Sequence, residues 1–202
     1  MPTVLHEPIA TTPDSQPRKR WTREECNFLE STEFFAGQHY ELIDGELINK
    51  MGKKAPHAFS ALLLHQWLVE VFGFLRVRKE ESIDVYPEDN PTSEPEPDLV
   101  VLRESGEKFA QSNPGPQDIL LAIEVADSTL SLDLSKKALL YARAGIADYW
   151  VLDVNKRRLI VHRDPVAGKY TSIVEYREDE SVAPLAAPES EFRVAAAFVK
   201  QA

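Results

Sequence analysis

The order of apolar and polar positions predicts a helix and then a hairpin in the first quarter of the chain. Thr22 followed by Glu25 has the spacing of a capping box, which predicts a helix over residues 21–36. The next segment, YELIDGELINKM, alternates apolar and polar positions on both sides of Asp44–Gly45. Such alternation around an Asp-Gly pair is typical of a β-hairpin.

Two further helices are predicted from apolar positions that recur every three to four residues. Pro56 suits the first turn of a helix, and the apolar spacing that follows predicts a long, well-buried helix to about Phe72. Residues 133–144 have the same periodicity, and Gly145 ends that segment.

The central strands are predicted from two near-continuous apolar runs, DLVVL (98–102) and ILLAIEVA (119–126). Runs of this kind suit strands covered on both faces. Further strands are predicted for RVRKEESIDVY, DYWVLDV, RLIVHRD and YTSIVEYR, and a short strand or helix near residues 191–200. Strands, a crossover helix and antiparallel hairpins together predict an α/β fold with a mixed β-sheet flanked by helices.

Composition and length favour one globular domain. The chain has 202 residues, of which 43% are hydrophobic and 28% are charged, as in ordinary globular proteins. We expect a single domain over residues 21–202, preceded by a flexible segment over residues 1–20 that is rich in Pro, Thr and Ser. The single cysteine, Cys26, excludes an intrachain disulfide. With neither a secretory signal pattern nor a long apolar run, the cytoplasm is the expected location and no membrane partner is expected.

The net charge of −10 argues against a surface that binds nucleic acid broadly, because phosphate affinity comes from Lys and Arg. It does not exclude an enzyme that acts on nucleic acid, since acidic metal sites make a chain more negative and local basic clusters can still attract phosphates. Such a cluster is usually a solvated surface, and the candidates are Arg18–Lys19–Arg20, Lys53–Lys54, Arg76–Arg78–Lys79 and Lys156–Arg157–Arg158.

Asp98 and Glu124 are carboxylates in otherwise apolar strands. Asp98 begins one predicted core strand behind Pro97, whereas Glu94 and Glu96 are expected to be loop charges. Glu124 lies inside another core strand, where an unpaired ionised carboxylate would be destabilising by several kcal/mol. A divalent cation would relieve both groups, and oxygen-only ligands indicate Mg²⁺ or Mn²⁺. The alternative is that Glu124 pairs with an internal Arg or Lys and that Asp98 caps a turn.

The helix after Glu124 can contribute a third polar group. Asp133, Lys137 and Tyr141 recur every four residues and therefore share one helical face, while Lys136 points elsewhere. A lysine that faces a phosphate could stabilise developing negative charge. The alternative is a surface ion pair between Asp133 and Lys137, with Tyr141 as a packing residue.

The blocks PDLVVL and IEVADSTLSLDLSKKALLYARAGIADYWVLDV, together with YELIDGELINKM and the helix near His57, resemble the Uma (Uma-two) family. The resemblance covers roughly residues 38–163. It implies a restriction-endonuclease-like core of the PD-(D/E)xK superfamily, whose members cut phosphodiester bonds with Mg²⁺ held by acidic residues.

The resemblance also implies residue roles. Asp98 resembles the aspartate of the PD motif and Glu124 the acid of the (D/E)xK motif. Ala126 stands where that motif has its lysine, and Lys137 fits the family's habit of supplying the lysine from the following helix. The implied metal ligands are Asp98, Glu124 and the backbone carbonyl of Val125.

Further residues are implied with accessory roles. Glu46 resembles a recurrent upstream acid that completes the catalytic set, and His57 falls at a recurrent position. Asp133 and Tyr141 are the other accessory candidates.

Three functions are compatible with these residues. The first is a Mg²⁺-dependent endonuclease, with DNA as the expected substrate. The second is a catalytically silent binding or interaction module with the nuclease fold, which the net charge and Ala126 favour. The third is a small-molecule phosphodiesterase. The resemblance and the exposed hairpins also suggest a homodimer.

Overall fold

The computed structural model describes residues 18–50, 52 and 54–199. A six-stranded mixed sheet forms its centre, in the order β3-β4-β5-β6-β7-β8. These strands are β3 Val77–Lys79, β4 Leu99–Leu102, β5 Ile119–Ala126, β6 Asp148–Asp153, β7 Arg158–Val166 and β8 Lys169–Arg177. All neighbouring pairs are antiparallel except β5 and β6, which are parallel. The predicted α/β fold with a mixed sheet is confirmed.

Smaller elements surround this sheet. The additional strands form two antiparallel pairs, β1 Tyr40–Ile43 with β2 Glu46–Asn49 and β9 Ser181–Val182 with β10 Phe192–Arg193. The helices are α1 Arg23–Ser31, α2 Ala55–Phe72, α3 Leu130–Leu132 and α4 Ala138–Ala144, with a π-helical turn Asp133–Lys137 joining the last two. Short 3₁₀ turns lie at Phe74–Arg76, Asn90–Thr92, Gly106–Phe109, Pro116–Asp118 and Val194–Ala197. Residues 130–144 thus form one continuous helical segment, the crossover helix, between β5 and β6.

Helices cover both faces of the sheet, as the continuous apolar runs predicted. On one face Leu64 and Leu68 of α2 pack in a core with odd-numbered positions such as Leu99 and Ile123. On the other face the crossover helix packs on even-numbered positions, which include Val100 and Ala122. Because side chains alternate along a strand, Glu124 belongs to the face under the crossover helix.

The first hairpin has the predicted turn. Asp44 and Gly45 have φ of 47° and 76°, the left-handed conformation of both central residues in a type I′ turn. A Cβ added to Gly45 would lie 2.8 Å from Cβ of Arg20, so a glycine is required there for space as well as for conformation. The hairpin packs through Ile43 on the crossover-helix side of the core.

Two predicted helix boundaries are wrong. The capping box of Thr22 is present, but α1 ends at Ser31 rather than near Ala36. At this end the hydroxyl of Thr32 donates to the carbonyl of Leu29. The crossover helix begins at Leu130, three residues earlier than predicted.

The predicted strand over residues 76–86 has only three residues in the ladder. It stops at Glu80, whose φ of 57° is incompatible with extended backbone. Ile83 and Asp84 beyond it donate to the carbonyls of Pro95 and Pro114 instead of pairing with a strand.

Of the expected flexible segment, residues 1–20, the first 17 residues lie outside the part of the chain that the structure describes. From residue 18 onward the chain lies against the first hairpin, where the backbone N–H of Trp21 donates to the carbonyl of Gly45 at 2.8 Å. None of the helices in the described part of the chain is long and apolar enough to cross a membrane.

Candidate active site

The register of β4 and β5 places Asp98 opposite Glu124. Leu99 pairs with Ile123 at the end of this antiparallel ladder, and continuing that register by one residue sets Asp98, just outside β4, opposite Glu124. Directly opposed residues in antiparallel strands project from the same face and are close neighbours. Oδ2 of Asp98 accepts a hydrogen bond from the backbone N–H of Val125 at 2.8 Å, which fixes the carboxylate at the strand end.

Lys137 projects from the crossover helix into this pair of carboxylates. Its Nζ lies 2.9 Å from Oε1 of Glu124 and 2.8 Å from Oε1 of Glu41. The hydroxyl of Tyr141 donates to the same Oε1 of Glu124 at 3.0 Å. Lys136 points away from the site and pairs with Glu46. The predicted common face of Asp133, Lys137 and Tyr141 is therefore present, and all three are buried rather than on the surface.

Asp133 lies one helical turn before Lys137. Its Oδ2 accepts from the Thr129 hydroxyl at 2.6 Å, while its Oδ1, 3.9 Å from Nζ of Lys137, is buried without a hydrogen-bond partner. Burial raises the pKa of the Asp133 carboxyl to about 6, although the Lys137 ammonium opposes the shift. Both residues belong to the π-helical turn Asp133–Lys137, a distortion that is common at functional sites.

The electrostatic state of the cluster follows from its burial. Burial raises the pKa of the Glu124 carboxyl to about 8, with the Lys137 ammonium opposing the rise. For Lys137 burial alone would lower the pKa, but the carboxylates of Glu124, Glu41 and Asp133 outweigh it and raise the pKa above its usual value. Lys137 is therefore a permanent cation, and the carboxyl groups of Glu124 and Asp133 hold their protons more tightly than carboxyl groups in water.

The upstream acid of the cluster is Glu41, which the sequence reasoning missed. Glu41 and Glu46 project from the same face of the hairpin, because Glu41 pairs with Ile48 and Ile43 pairs with Glu46. Glu46 lies at the turn, is exposed and contacts Lys136, so it is not brought to the cluster. Glu41, 4% exposed, contacts Lys137 through one oxygen and accepts the backbone N–H of Glu96 through the other at 3.2 Å.

His57 is placed at the site by the first turn of α2. Its Nε2 lies 3.3 Å from Oδ2 of Asp98, and its Nδ1 is buried without a hydrogen-bond partner. Glu96, expected to be a loop charge, pairs with Lys50 at 2.8 Å, a contact that the sequence did not indicate.

These groups surround a cavity of about 130 Å³. Its lining includes the carboxylates of Asp98, Glu124 and Asp133, the ammonium of Lys137, and Val125. A volume of this size admits several water molecules or a hydrated cation. Ala126, two residues after Glu124, is fully buried and cannot contribute a polar group, so the cavity's internal cation comes from the helix.

The oxygen donors fit a hard divalent cation better than zinc. In the described ranges no three His, Cys, Asp or Glu side chains are arranged to hold a metal ion. The ligands that the family resemblance implies are two carboxylates and a backbone carbonyl, so water would have to complete the coordination of a cation. Both side-chain hydrogen bonds to Glu124 within the described residues fall on Oε1, which leaves Oε2 as the oxygen able to face a ligand. Carboxylate and carbonyl oxygens with remaining water ligands are the typical surroundings of Mg²⁺.

The hydroxyl of Tyr141 offers a test of how the cluster is built. Tyr141→Phe removes a hydrogen bond to a buried carboxyl and is expected to lower the free energy of unfolding by about 1.5–3 kcal/mol. Tyr149→Phe is the matched control, because Tyr149 is equally buried but donates to the neutral carbonyl of Asp133, worth about 0.5–1.5 kcal/mol. Urea denaturation above pH 8, where Glu124 is ionised, measures both values. Equal losses would show that the Glu124 contact has no special strength.

The site thus lies on a mixed sheet with helices on both faces, beside two facing polar positions of its central strands, and the comparisons with known proteins assign this arrangement to a restriction-endonuclease family. The chain belongs to the Uma2 family, described as "Putative restriction endonuclease", whose model matches residues 25–197. A solved structure with the same fold is the "putative nuclease belonging to DUF820 from Anabaena variabilis ATCC 29413". It matches with a TM-score of 0.61 and 16% identity, over 79% of this chain and 89% of that chain. No curated protein matches the chain.

Proposed function

We propose that this chain is a Mg²⁺- or Mn²⁺-dependent endonuclease that hydrolyses phosphodiester bonds in DNA. Membership of a restriction-endonuclease family supports a nuclease-type function and a nucleic-acid substrate. The observation that carries the finer proposal is the meeting of Asp98, Glu124 and Lys137 in one cavity, although they come from two strands and a helix.

Asp98, Glu124 and the carbonyl of Val125 would hold the divalent cation. When bound, this cation neutralises charge on the scissile phosphate and lowers the pKa of a coordinated water. The protein keeps Asp98 in place through the N–H of Val125 and through His57. Tyr141 and Lys137 orient Glu124 by donating to its Oε1.

Lys137 would stabilise negative charge that develops on the phosphate during hydrolysis. A preoriented ammonium in a water-poor cavity is more effective than one in solution, because it needs no reorganisation during the reaction. Glu41 and Asp133 act as positioning residues, since they contact Lys137 from the hairpin and from its own helix.

A second candidate is a catalytically silent binding module with the same fold. The ion pairs of Lys137 with Glu41 and Glu124 favour it, because they would also stabilise a protein without turnover. The homodimer and the cytoplasmic location stay predictions.

Cleavage assays distinguish the two candidates. Purified protein is expected to nick supercoiled plasmid with Mg²⁺ or Mn²⁺, and EDTA is expected to stop the reaction. Single-stranded DNA and RNA serve as comparison substrates. Saturable cation binding by calorimetry without cleavage of any of these substrates would refute the nuclease and leave the binding module.

A further inference from the structure

Two lysines stand at the mouth of the cavity, at the ends of the connection between β2 and α2. Nζ of Lys50 lies 2.8 Å from Oε2 of Glu96 and donates to the carbonyl of that residue at 3.2 Å. Nζ of Lys54 lies 3.1 Å from Oδ2 of Asp127. Glu96 lies two residues before Asp98, and Asp127 lies three residues after Glu124, so both pairs flank the proposed cation ligands.

A third lysine comes from another element and lies at the same end of the central strands. Because β5 and β6 are parallel, the turn after β6 lies beside the end of β5. Val154 donates its N–H to the carbonyl of Ala126 at 3.0 Å, and Nδ2 of Asn155 donates to the carbonyl of Asp127 at 2.6 Å. Lys156 follows directly and is exposed on this turn.

The charges of the cavity show why these lysines matter for an anionic ligand. Its lining carries six carboxylates against three lysines, a formal balance of −3 with His57 neutral. This lining would repel a polyanion unless two conditions were met. A divalent cation would have to occupy the cavity, and protein cations on both sides of the cavity would have to contact the polyanion.

We propose that Lys50, Lys54 and Lys156 form a phosphate track that holds a DNA strand across the cavity by its backbone. The carboxylates of Glu96 and Asp127 occupy the phosphate positions on Lys50 and Lys54 in the nucleic-acid-free protein. DNA exchanges these two carboxylates for phosphates, while Lys156 contacts the strand beyond Asp127. This inference rests on the proposed function and adds that the flanking contacts are to phosphates and are independent of sequence.

The Lys54–Asp127 pair is the better suited to such an exchange, because the Lys50–Glu96 pair is partly buried, with side chains 21% and 31% exposed. The side chain of Lys54 is 69% exposed in its pair with Asp127, and pairs at exposed positions contribute only about 0–1 kcal/mol. A carboxylate can therefore be replaced by phosphate oxygens without disturbing the fold. Buried Lys137, with its side chain 4% exposed, has no such freedom.

The salt dependence of DNA binding tests the track. Fluorescence anisotropy of a labelled duplex with wild type and with Lys50→Ala, Lys54→Ala and Lys156→Ala is measured in Ca²⁺ between 50 and 200 mM salt. Each phosphate contact contributes about 0.9 to the slope of log K against log salt, so each variant is expected to reduce the salt-induced loss of affinity by about 3.5-fold. The triple variant is expected to reduce it by about 40-fold. Lys54→Arg is expected to keep the wild-type slope.

Lys169→Ala is the charge-matched control. Lys169 is exposed and begins β8, the edge strand farthest from β3. Its removal is therefore expected to leave the slope unchanged. Plasmid cleavage is measured in parallel with Mg²⁺. Cleavage together with wild-type slopes in all three variants would overturn the track and keep the nuclease. Reduced slopes without cleavage by the wild type would keep the track and overturn the nuclease. Absence of both binding and cleavage would overturn both.

Discussion

Replacing Glu124 with glutamine is expected to reduce cation-dependent DNA cleavage by about 10³-fold or more. The amide removes a ligand charge from a site whose cation is worth several kcal/mol to the transition state, and 1.36 kcal/mol corresponds to a factor of ten. The shape of the cluster should be kept, because the amide oxygen can accept the hydrogen bonds that Lys137 and Tyr141 donate to Oε1. Plasmid nicking under single-turnover conditions measures the effect.

The same variant has a predicted effect on stability with the opposite sign. Burial raises the pKa of Glu124 from 4.5 to about 8 in the folded protein. The folded state therefore binds the proton more tightly than the unfolded chain, and this stabilisation is lost as pH rises from about 4.5 to about 8. In EDTA the Tm of the wild type should consequently fall relative to that of Glu124→Gln over this range, by about 2–4 °C for each kcal/mol.

Asp98→Asn supplies the companion measurement. It should also abolish cleavage, whereas Lys169→Ala, at the far edge of the sheet, should cut like the wild type. Wild-type cleavage by both Glu124→Gln and Asp98→Asn would rule out this cavity as the active site. A Tm difference between wild type and Glu124→Gln that does not change with pH would contradict the burial of an ionisable Glu124.

Lys137→Met is expected to have the second large effect, on both activity and stability. Loss of a preoriented cation from the reaction centre typically reduces the rate by about 10²–10³-fold. It also leaves Glu41 and Glu124 buried without their cation, and breaking a buried ion pair in this way costs about 3–5 kcal/mol. Cleavage rates measure the loss of activity, and urea denaturation at pH 8 measures the loss of stability.

A double variant separates the two roles of Lys137. Adding Glu41→Gln to Lys137→Met removes one of the uncompensated charges, so stability should be partly restored while cleavage stays low. If the double variant regained activity together with stability, Lys137 would be a structural residue only. Recovery of neither property would indicate that Glu41 does not interact with Lys137 in solution.

The local elements depended on short-range rules and could be predicted. The capping box at Thr22, the Asp44–Gly45 turn and the buried strands β4 and β5 each follow from a few adjacent residues. The common face of Lys137 and Tyr141 followed in the same way from helical spacing. The strand predicted beyond Lys79 failed because alternation alone does not distinguish a ladder from an extended segment bonded to Pro95 and Pro114.

The contacts between site residues that are far apart in the sequence could not be predicted from such short-range rules. Glu41 and Glu46 are both glutamates and project from the same face of the hairpin. Only the packing of the hairpin on the crossover helix makes Glu41 the buried ion-pair partner of Lys137 and Glu46 the exposed partner of Lys136. The burial of Asp133 and the contact of His57 with Asp98 likewise depend on how distant elements pack.

The sequence by itself thus determined the fold class, the central strands and three polar groups in otherwise apolar elements, Asp98, Glu124 and Lys137. Those properties follow from periodicity, because a buried carboxylate or ammonium interrupts an apolar pattern. The tertiary structure alone decided that these groups meet in one cavity, that Glu41 joins them, and that Lys50 and Lys54 also line it. Contacts between residues far apart in the chain are fixed by the packing of whole elements, which no local pattern encodes.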